Sequence, residues 1–165
     1  MTKMSEEINF RLADPADAQK VLVLLKRLQS ETDTFLVDSN LDELTPEMEA
    51  KQIGLINQSY RNLMALAVLD DQPVGIVTVD GLGANDGEVG IAVLSAYQGY
   101  TLGTNLLELA IDWAKTYSQL ATLKLAVFKD NAAAVHLYQK LGFNQTGTES
   151  RNDRIILKMS LPVKK

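Results

Sequence analysis

Asp130-Asn131-Ala132-Ala133-Ala134-Val135-His136-Leu137-Tyr138-Gln139-Lys140-Leu141-Gly142-Phe143 decides the fold. Residues 122–128, just before it, alternate apolar and polar side chains as a strand with one buried face does. Asn131 is a helix N-cap, residues 131–141 make a short helix, and Gly142 stands just past its end, where helices close. Val135, Tyr138 and Leu141 share one stripe of that helix, whereas His136, Gln139 and Lys140 read as a solvated face.

Upstream, Gln98-Gly99-Tyr100-Thr101-Leu102-Gly103-Thr104 joins a strand-like run at 88–93 to a helix at 102–117. Leu102, Leu106, Leu109, Ala110 and Trp113 form the apolar stripe of that helix. A strand that feeds a helix N-terminus is a ready anion site, because the first helical N–H groups lack intrahelical partners and the dipole favours negative charge. Gly99 and Gly103 allow close backbone approach or a sharp bend, and Thr104 adds a hydroxyl. No Gly-Lys-Ser/Thr follows and G-x-G-x-x-G is absent, so neither a Walker loop nor a dinucleotide fingerprint is present. Taken alone, the turn also fits two glycines that only shape a tight connection.

The rest of the chain supplies a sheet. Ile8, Phe10 and Leu12 alternate with polar residues as a half-buried strand. Asp14-Pro15 and Thr45-Pro46 each read as an N-cap with Pro at the first helical position. Val21, Leu24, Leu25 and Leu28 are the core face of the first helix, and Met48, Ile53 and Ile56 that of the second. Runs at 64–69 and 74–79 flank Asp70-Asp71-Gln72-Pro73 as a hairpin, and a Gly- and Asp-rich loop at 81–87 leads to 88–93. Runs at 144–149 and 154–161 close the chain. Several consecutive strands before a helical crossover predict an α/β (α+β) fold: a mixed, mostly antiparallel central sheet flanked by helices.

At 165 residues, the chain is one domain, 1–165, by length. No apolar run approaches the roughly 20 residues of a membrane span. There is no Cys, which excludes a disulfide, a thiolate metal site and a Cys nucleophile, and the single His excludes a multi-histidine metal site within one chain. No metal is expected. Net charge is −5, which argues against a broad nucleic-acid surface. Residues 1–10 lack the pattern of a secretory signal, so the expected location is cytoplasmic. Two-fold pairs are the commonest assemblies, which makes a homodimer the default.

With both segments in view, the chain resembles the GNAT superfamily of acetyl-CoA-dependent N-acetyltransferases. Gln98 to Gly103 matches the loop motif Arg/Gln-x-x-Gly-x-Gly/Ala. Asn131, Ala134, Leu137, Tyr138, Lys140, Gly142 and Phe143 match Asn-x-x-Ala-x-x-Leu-Tyr-x-Lys-x-Gly-Phe. The element order fits the family along nearly the whole chain. Thr101 departs from the motif, which usually has Gly there. A β-branched residue tolerates positive φ poorly, so either φ stays negative or the pyrophosphate sits farther out.

The resemblance implies that acetyl-CoA is the acyl donor and that its pyrophosphate rests on backbone N–H groups of Gln98, Gly99, Tyr100, Thr101, Leu102, Gly103 and Thr104. The pantetheine arm then pairs like an added strand with Ile91, Ala92 and Val93, where the next strand diverges, and Asn131 hydrogen-bonds it. Tyr138 matches the family's general acid, and its ordinary pKa near ~10 keeps it protonated at neutral pH. Glu88 is the candidate base, although some relatives carry the carboxylate one residue earlier, where this chain has Gly87. Attack is direct, in a ternary complex, since no Cys exists to carry an acyl group.

The implied acceptor is a small-molecule or protein amine. The segment between the first two helices covers the acceptor in this family. Here it holds Glu31, Asp33, Asp38, Asp42, Glu43, Glu47 and Glu49, with no Lys or Arg between Arg27 and Lys51, which favours a cationic amine. Phe35 and Leu36 are placed to pack on its carbon skeleton. Two other readings fit the same residues: a CoA-binding sensor or partner module with little catalysis, and a nucleotide-binding α/β domain that prefers ATP or NAD.

Overall fold

A computed structural model describes residues 8–31, 41–98 and 101–164. Among them are strands β1 Ile8–Leu12, β2 Leu63–Leu69, β3 Gln72–Leu82, β4 Asp86–Val93, β5 Thr122–Phe128, β6 Asn144–Arg151 and β7 Arg154–Pro162. The helices are α1 Ala18–Glu31, α2 Pro46–Asn57, α3 Leu102–Thr116 and α4 Ala132–Lys140. All seven strands join one sheet in the order β1-β2-β3-β4-β5-β7-β6. Only the β4–β5 pair is parallel; the other pairs are antiparallel, giving the expected mixed sheet.

Local chemistry explains where the elements begin. Asp14 accepts from the Ala16 N–H at 2.9 Å and Asp17 accepts from the Asp14 N–H at 2.8 Å, so a capping box opens the 3-10 turn that leads into α1. Arg11 reaches the same Asp17 carboxylate at 2.7 and 2.9 Å, which holds that carboxyl below its ordinary pKa. Thr45 accepts from the Met48 N–H at 3.1 Å and Pro46 opens α2. Asp70 and Asp71 take φ of 50° and 65°, the left-handed pair that matches hairpin twist between β2 and β3.

Strand β2 is buried along its whole length, so helices cover both faces of the sheet. A Cβ added to Gly75 would lie 3.1 Å from Leu106 Cδ1, which puts α3 on the face shared by Gly75, Val77 and Val79. Helices α1 and α2 therefore cover the opposite face, where Leu66 and Ile76 are buried. In α3 the buried residues are Leu102, Leu106, Leu107, Ala110, Ile111 and Ala114, while Leu109 and Trp113 are half-buried at its flank.

Two expectations change. The stretch at 81–87 is mostly ladder: β3 runs to Leu82, β4 starts at Asp86, and Gly81 opposes Gly87. In α2, Met48 is 52% exposed and Glu49 only 6%. Glu49, Ile53 and Ile56 keep helical spacing on one stripe, whereas Met48 is out of phase with both isoleucines.

The ladder has no room at Gly87, where a Cβ would lie 2.5 Å from Leu120 Cδ1 and 2.7 Å from Val79 Cγ1. Gly87→Ala should therefore lower unfolding stability by about 1–3 kcal/mol, the usual cost of overpacking. A urea midpoint equal to that of the parent would refute this.

Candidate active site

The site begins where the sheet divides. Strand β5 pairs with β4 only at Asp86–Thr122, Gly87–Leu123 and Glu88–Lys124. Beyond Glu88, β4 continues against β3 as far as Gly75–Val93, while β5 continues against β7. The edge of β4 from Val89 to Val93 is thus left without a strand partner on the β5 side. Ile91, Ala92 and Val93 all lie on this edge and are half-buried. An edge of unpaired N–H and C=O groups invites an added extended chain.

At the upper end of that edge, Leu94 donates its N–H to the Val74 carbonyl and a 3-10 turn at Ser95–Tyr97 follows. The Gln98 N–H closes this turn on the Ser95 carbonyl at 3.4 Å, and its side-chain amide donates to the Val93 carbonyl at 3.2 Å. Gly99 and Tyr100 lie outside the described residues. Thr101 caps α3 with φ 64° and ψ 12°, so the chain takes the left-handed conformation despite the branched side chain. The N–H groups of Leu102, Gly103 and Thr104 come next, in the first turn, the part of a helix whose donors have no intrahelical acceptor. A Cβ on Gly103 would lie 3.8 Å from Leu137, so α4 sits beside this helix start.

Helix α4 supplies two polar groups. Asn131 accepts from the Ala134 N–H at 3.4 Å as N-cap, and its amide N–H groups make no hydrogen bond among the described residues. Tyr138 is only 8% exposed and packs edge-on against Phe143, with ring centroids 6.1 Å apart. Burial pushes its phenol up to about 12, and its hydroxyl makes no hydrogen bond among the described residues. His136 is exposed on the outer face of α4.

Glu88 is exposed on the sheet face opposite α3. A carboxylate at position 87 would point into the packed side, at Leu120 and Val79, so Glu88 presents its carboxylate on the open side. The register adds a residue that sequence patterning missed: Asp80 lies directly across from Glu88 on β3. Period-two alternation carries that information, but only once the β3–β4 register is known.

The acidic segment is partly neutralised. Glu31 accepts from the Ser95 N–H at 2.9 Å and pairs with Arg27 at 3.6 Å, and Asp42 pairs with Lys26 at 3.5 Å. Glu43 and Glu47 are exposed, and burial alone holds the Glu49 carboxyl above its ordinary pKa. Asp33, Phe35, Leu36 and Asp38 lie outside the described residues.

A sequence profile of the acetyltransferase (GNAT) family matches residues 25–143. A solved structure of a GNAT-family acetyltransferase from Streptococcus pneumoniae superposes with a TM-score of 0.88 at 30% identity, covering 95% of this chain and 100% of that one. A spermidine N(1)-acetyltransferase of Escherichia coli is 42% identical over 60 residues, 36% of this chain and 32% of that protein. A ribosomal-protein alanine N-acetyltransferase of Escherichia coli is 43% identical over 81 residues, 44% of this chain and 53% of that protein. The matched stretches thus span about a third and about half of the length of these two relatives.

Left-handed backbone costs an ordinary residue roughly 1–2 kcal/mol, while glycine costs about 0.4–1 kcal/mol through the unfolded chain. Thr101→Gly should therefore raise stability by up to about 1 kcal/mol without weakening CoA binding. Denaturant unfolding and a CoA titration check this, and a lower midpoint would count against it.

Proposed function

The chain belongs to the GNAT family of acetyltransferases, and from that premise we propose that it is an N-acetyltransferase that moves the acetyl group of acetyl-CoA to an amine. The observation that carries the reading is the bare β4 edge from Val89 to Val93, which runs up to the first turn of α3. A pantetheine arm fits that edge by strand-like pairing, with its amide within reach of Asn131. The pyrophosphate fits the N–H groups of Leu102, Gly103 and Thr104, where the helix dipole favours an anion. Gln98 takes part through its side chain, which now caps the Val93 carbonyl and must turn aside for a strand-like ligand. Gly99, Tyr100 and Thr101 complete the loop around the phosphates.

In the reaction, Glu88 takes a proton from the incoming ammonium and the neutral nitrogen attacks the acetyl carbonyl. The C–N bond forms, the C–S bond breaks, and Tyr138 faces the departing sulfur. The direction of its pKa shift refines that role. Burial makes the phenol a weaker acid than it is in water, so it holds its proton throughout the neutral range. Tyr138 therefore acts chiefly as a hydrogen-bond donor that stabilises developing thiolate charge.

The acceptor we favour is a cationic amine. Its support is the acidic face around Asp80, Asp86 and Glu88 and the partial match to a spermidine acetyltransferase. No described helix is long and apolar enough to cross a membrane. The same reading keeps the cytoplasm as the location and a homodimer as the assembly.

Thiol release from acetyl-CoA across polyamines, amino acids, aminoglycosides and short peptides tests the function directly. The chain has no Cys, so it adds no background to the readout. Release with at least one amine class is expected, and CoA binding without release across all classes would favour a non-catalytic module. Tyr138→Phe should lower kcat by about 10²-fold, the usual cost of one transition-state donor, with CoA affinity retained. Because the phenol titrates only near 12, that substitution should leave the shape of the pH profile unchanged between about pH 7 and 10. An alkaline limb in that range that disappears in Tyr138→Phe would contradict this role.

A further inference from the structure

The upper end of the bare β4 edge is already engaged by the chain itself. Leu94 donates its N–H to the Val74 carbonyl at 2.9 Å, on the β3 side. The peptide bond is trans, so the Val93 carbonyl of the same peptide unit points the opposite way, out from the bare edge. The Gln98 side chain meets it at 3.2 Å. A carbonyl can only accept, so it is the amide nitrogen that faces it. The Gln98 backbone N–H is also turned inward, onto the Ser95 carbonyl at 3.4 Å.

The next donor along the chain is held as well. The Ser95 N–H lies 2.9 Å from the carboxylate of Glu31, the last residue of α1 and 64 positions away in sequence. A carboxylate at a helix C-terminus stands against the helix dipole, and Arg27, one turn back, steadies it at 3.6 Å. In a parallel pair, one residue of an added strand gives its N–H to a carbonyl and takes the N–H two residues further on. At Val93 and Ser95, Gln98 supplies such a donor and Glu31 such an acceptor, both from side chains. The chain thus carries an internal stand-in for one residue of an added strand, at the end of the edge nearest the start of α3.

We propose that this stand-in is a clasp: acetyl-CoA takes its place on the edge by displacing the Gln98 amide from the Val93 carbonyl, while Glu31 holds the turn at Ser95–Tyr97 in position. The proposal rests on the acetyltransferase reading and adds a competitor inside the donor site. Bonding to an occupied carbonyl exchanges one hydrogen bond for another, so that contact contributes little net affinity. A ligand that needs the open form is weakened in proportion to the fraction of molecules in that form. Gln98 is exposed, so its bond is made in competition with water and the closed form leads by a small factor. The clasp has a use of its own, because a capped carbonyl offers no template to the strand of another chain.

The test is calorimetric titration of parent, Gln98→Met and Gln98→Ala with three probes: CoA, pantetheine, and 3′-phospho-ADP, the half of CoA that lacks the arm. Met keeps the length of the side chain and removes the donor, and Ala removes both. CoA and pantetheine should each bind about three- to five-fold more tightly to both variants, the scale of one exposed hydrogen bond. Affinity for 3′-phospho-ADP and the melting temperature should stay at the parent's values. Unaltered affinity for CoA and pantetheine overturns the clasp and leaves the acetyltransferase reading standing. So does a change that 3′-phospho-ADP shares, which assigns the side chain to the phosphates instead of the edge. A parent that binds neither CoA nor pantetheine overturns the underlying reading and the clasp with it.

Discussion

Three rungs of parallel ladder hold the two halves of this sheet together, and the site exists because there are only three. Strand β4 pairs with β3 from Asp86 to Val93, and β5 pairs with β7 from Thr122 to Phe128. Each strand's longer partnership lies on its outer side, so the sheet's twist is free to separate them once the shared rungs end. The join is tight: Lys124 bonds Asp86 across it, and Gly87 leaves no space beside Leu120 and Val79. Past the join, β4 carries a run of unpaired backbone. A protein must cover, charge or use such an edge. This one aims it at a helix N-terminus.

The departures from ordinary structural preference gather around that edge. Thr101 holds a left-handed conformation where α3 begins. Tyr138 keeps a phenol nine-tenths buried with no hydrogen bond among the described residues. Asp80 opposes Glu88 with like charge. Elsewhere the chain follows the rules closely: capping box at Asp14, cap at Thr45, left-handed turn residues at Asp70, Asp71, Asn152 and Asp153. Sequences are expected to be locally consistent except where function requires otherwise.

The elements were legible because their signals are local. N-caps, prolines and alternation placed all seven strands and four helices among the described residues, and 122–128 matched to the residue. The misreadings turned on phase or partnership. Met48 was expected in the core because it is apolar, yet Glu49 holds the helical phase set by Ile53 and Ile56. The glycines at 81 and 87 read as loop, yet they face each other across a ladder in which Gly87 admits nothing larger. Of the proposed site, Tyr138 and Asn131 were named from the motif and Glu88 from its place at the start of its strand. That Asp80 lies across from Glu88 was not legible, because pairing across a hairpin depends on a register that a bulge or one added loop residue would shift.

The division of the sheet also divides the proposed chemistry. Glu88 belongs to the β3–β4 half, whereas Asn131 caps and Tyr138 stands on α4, the helix that comes after β5. Acceptor and departing sulfur are therefore handled by groups on opposite sides of the opening. Their separation is set by how far the halves diverge beyond Glu88. Close packing at the join has a reason in this arrangement: a small shift at Gly87 or Leu123 changes the angle between two rigid half-sheets, and the displacement grows along the strands. Positioning errors of about 1 Å cost transfer reactions roughly 10²-fold. For the proposed transfer, close packing at the base of the opening matters as much as the groups that line it.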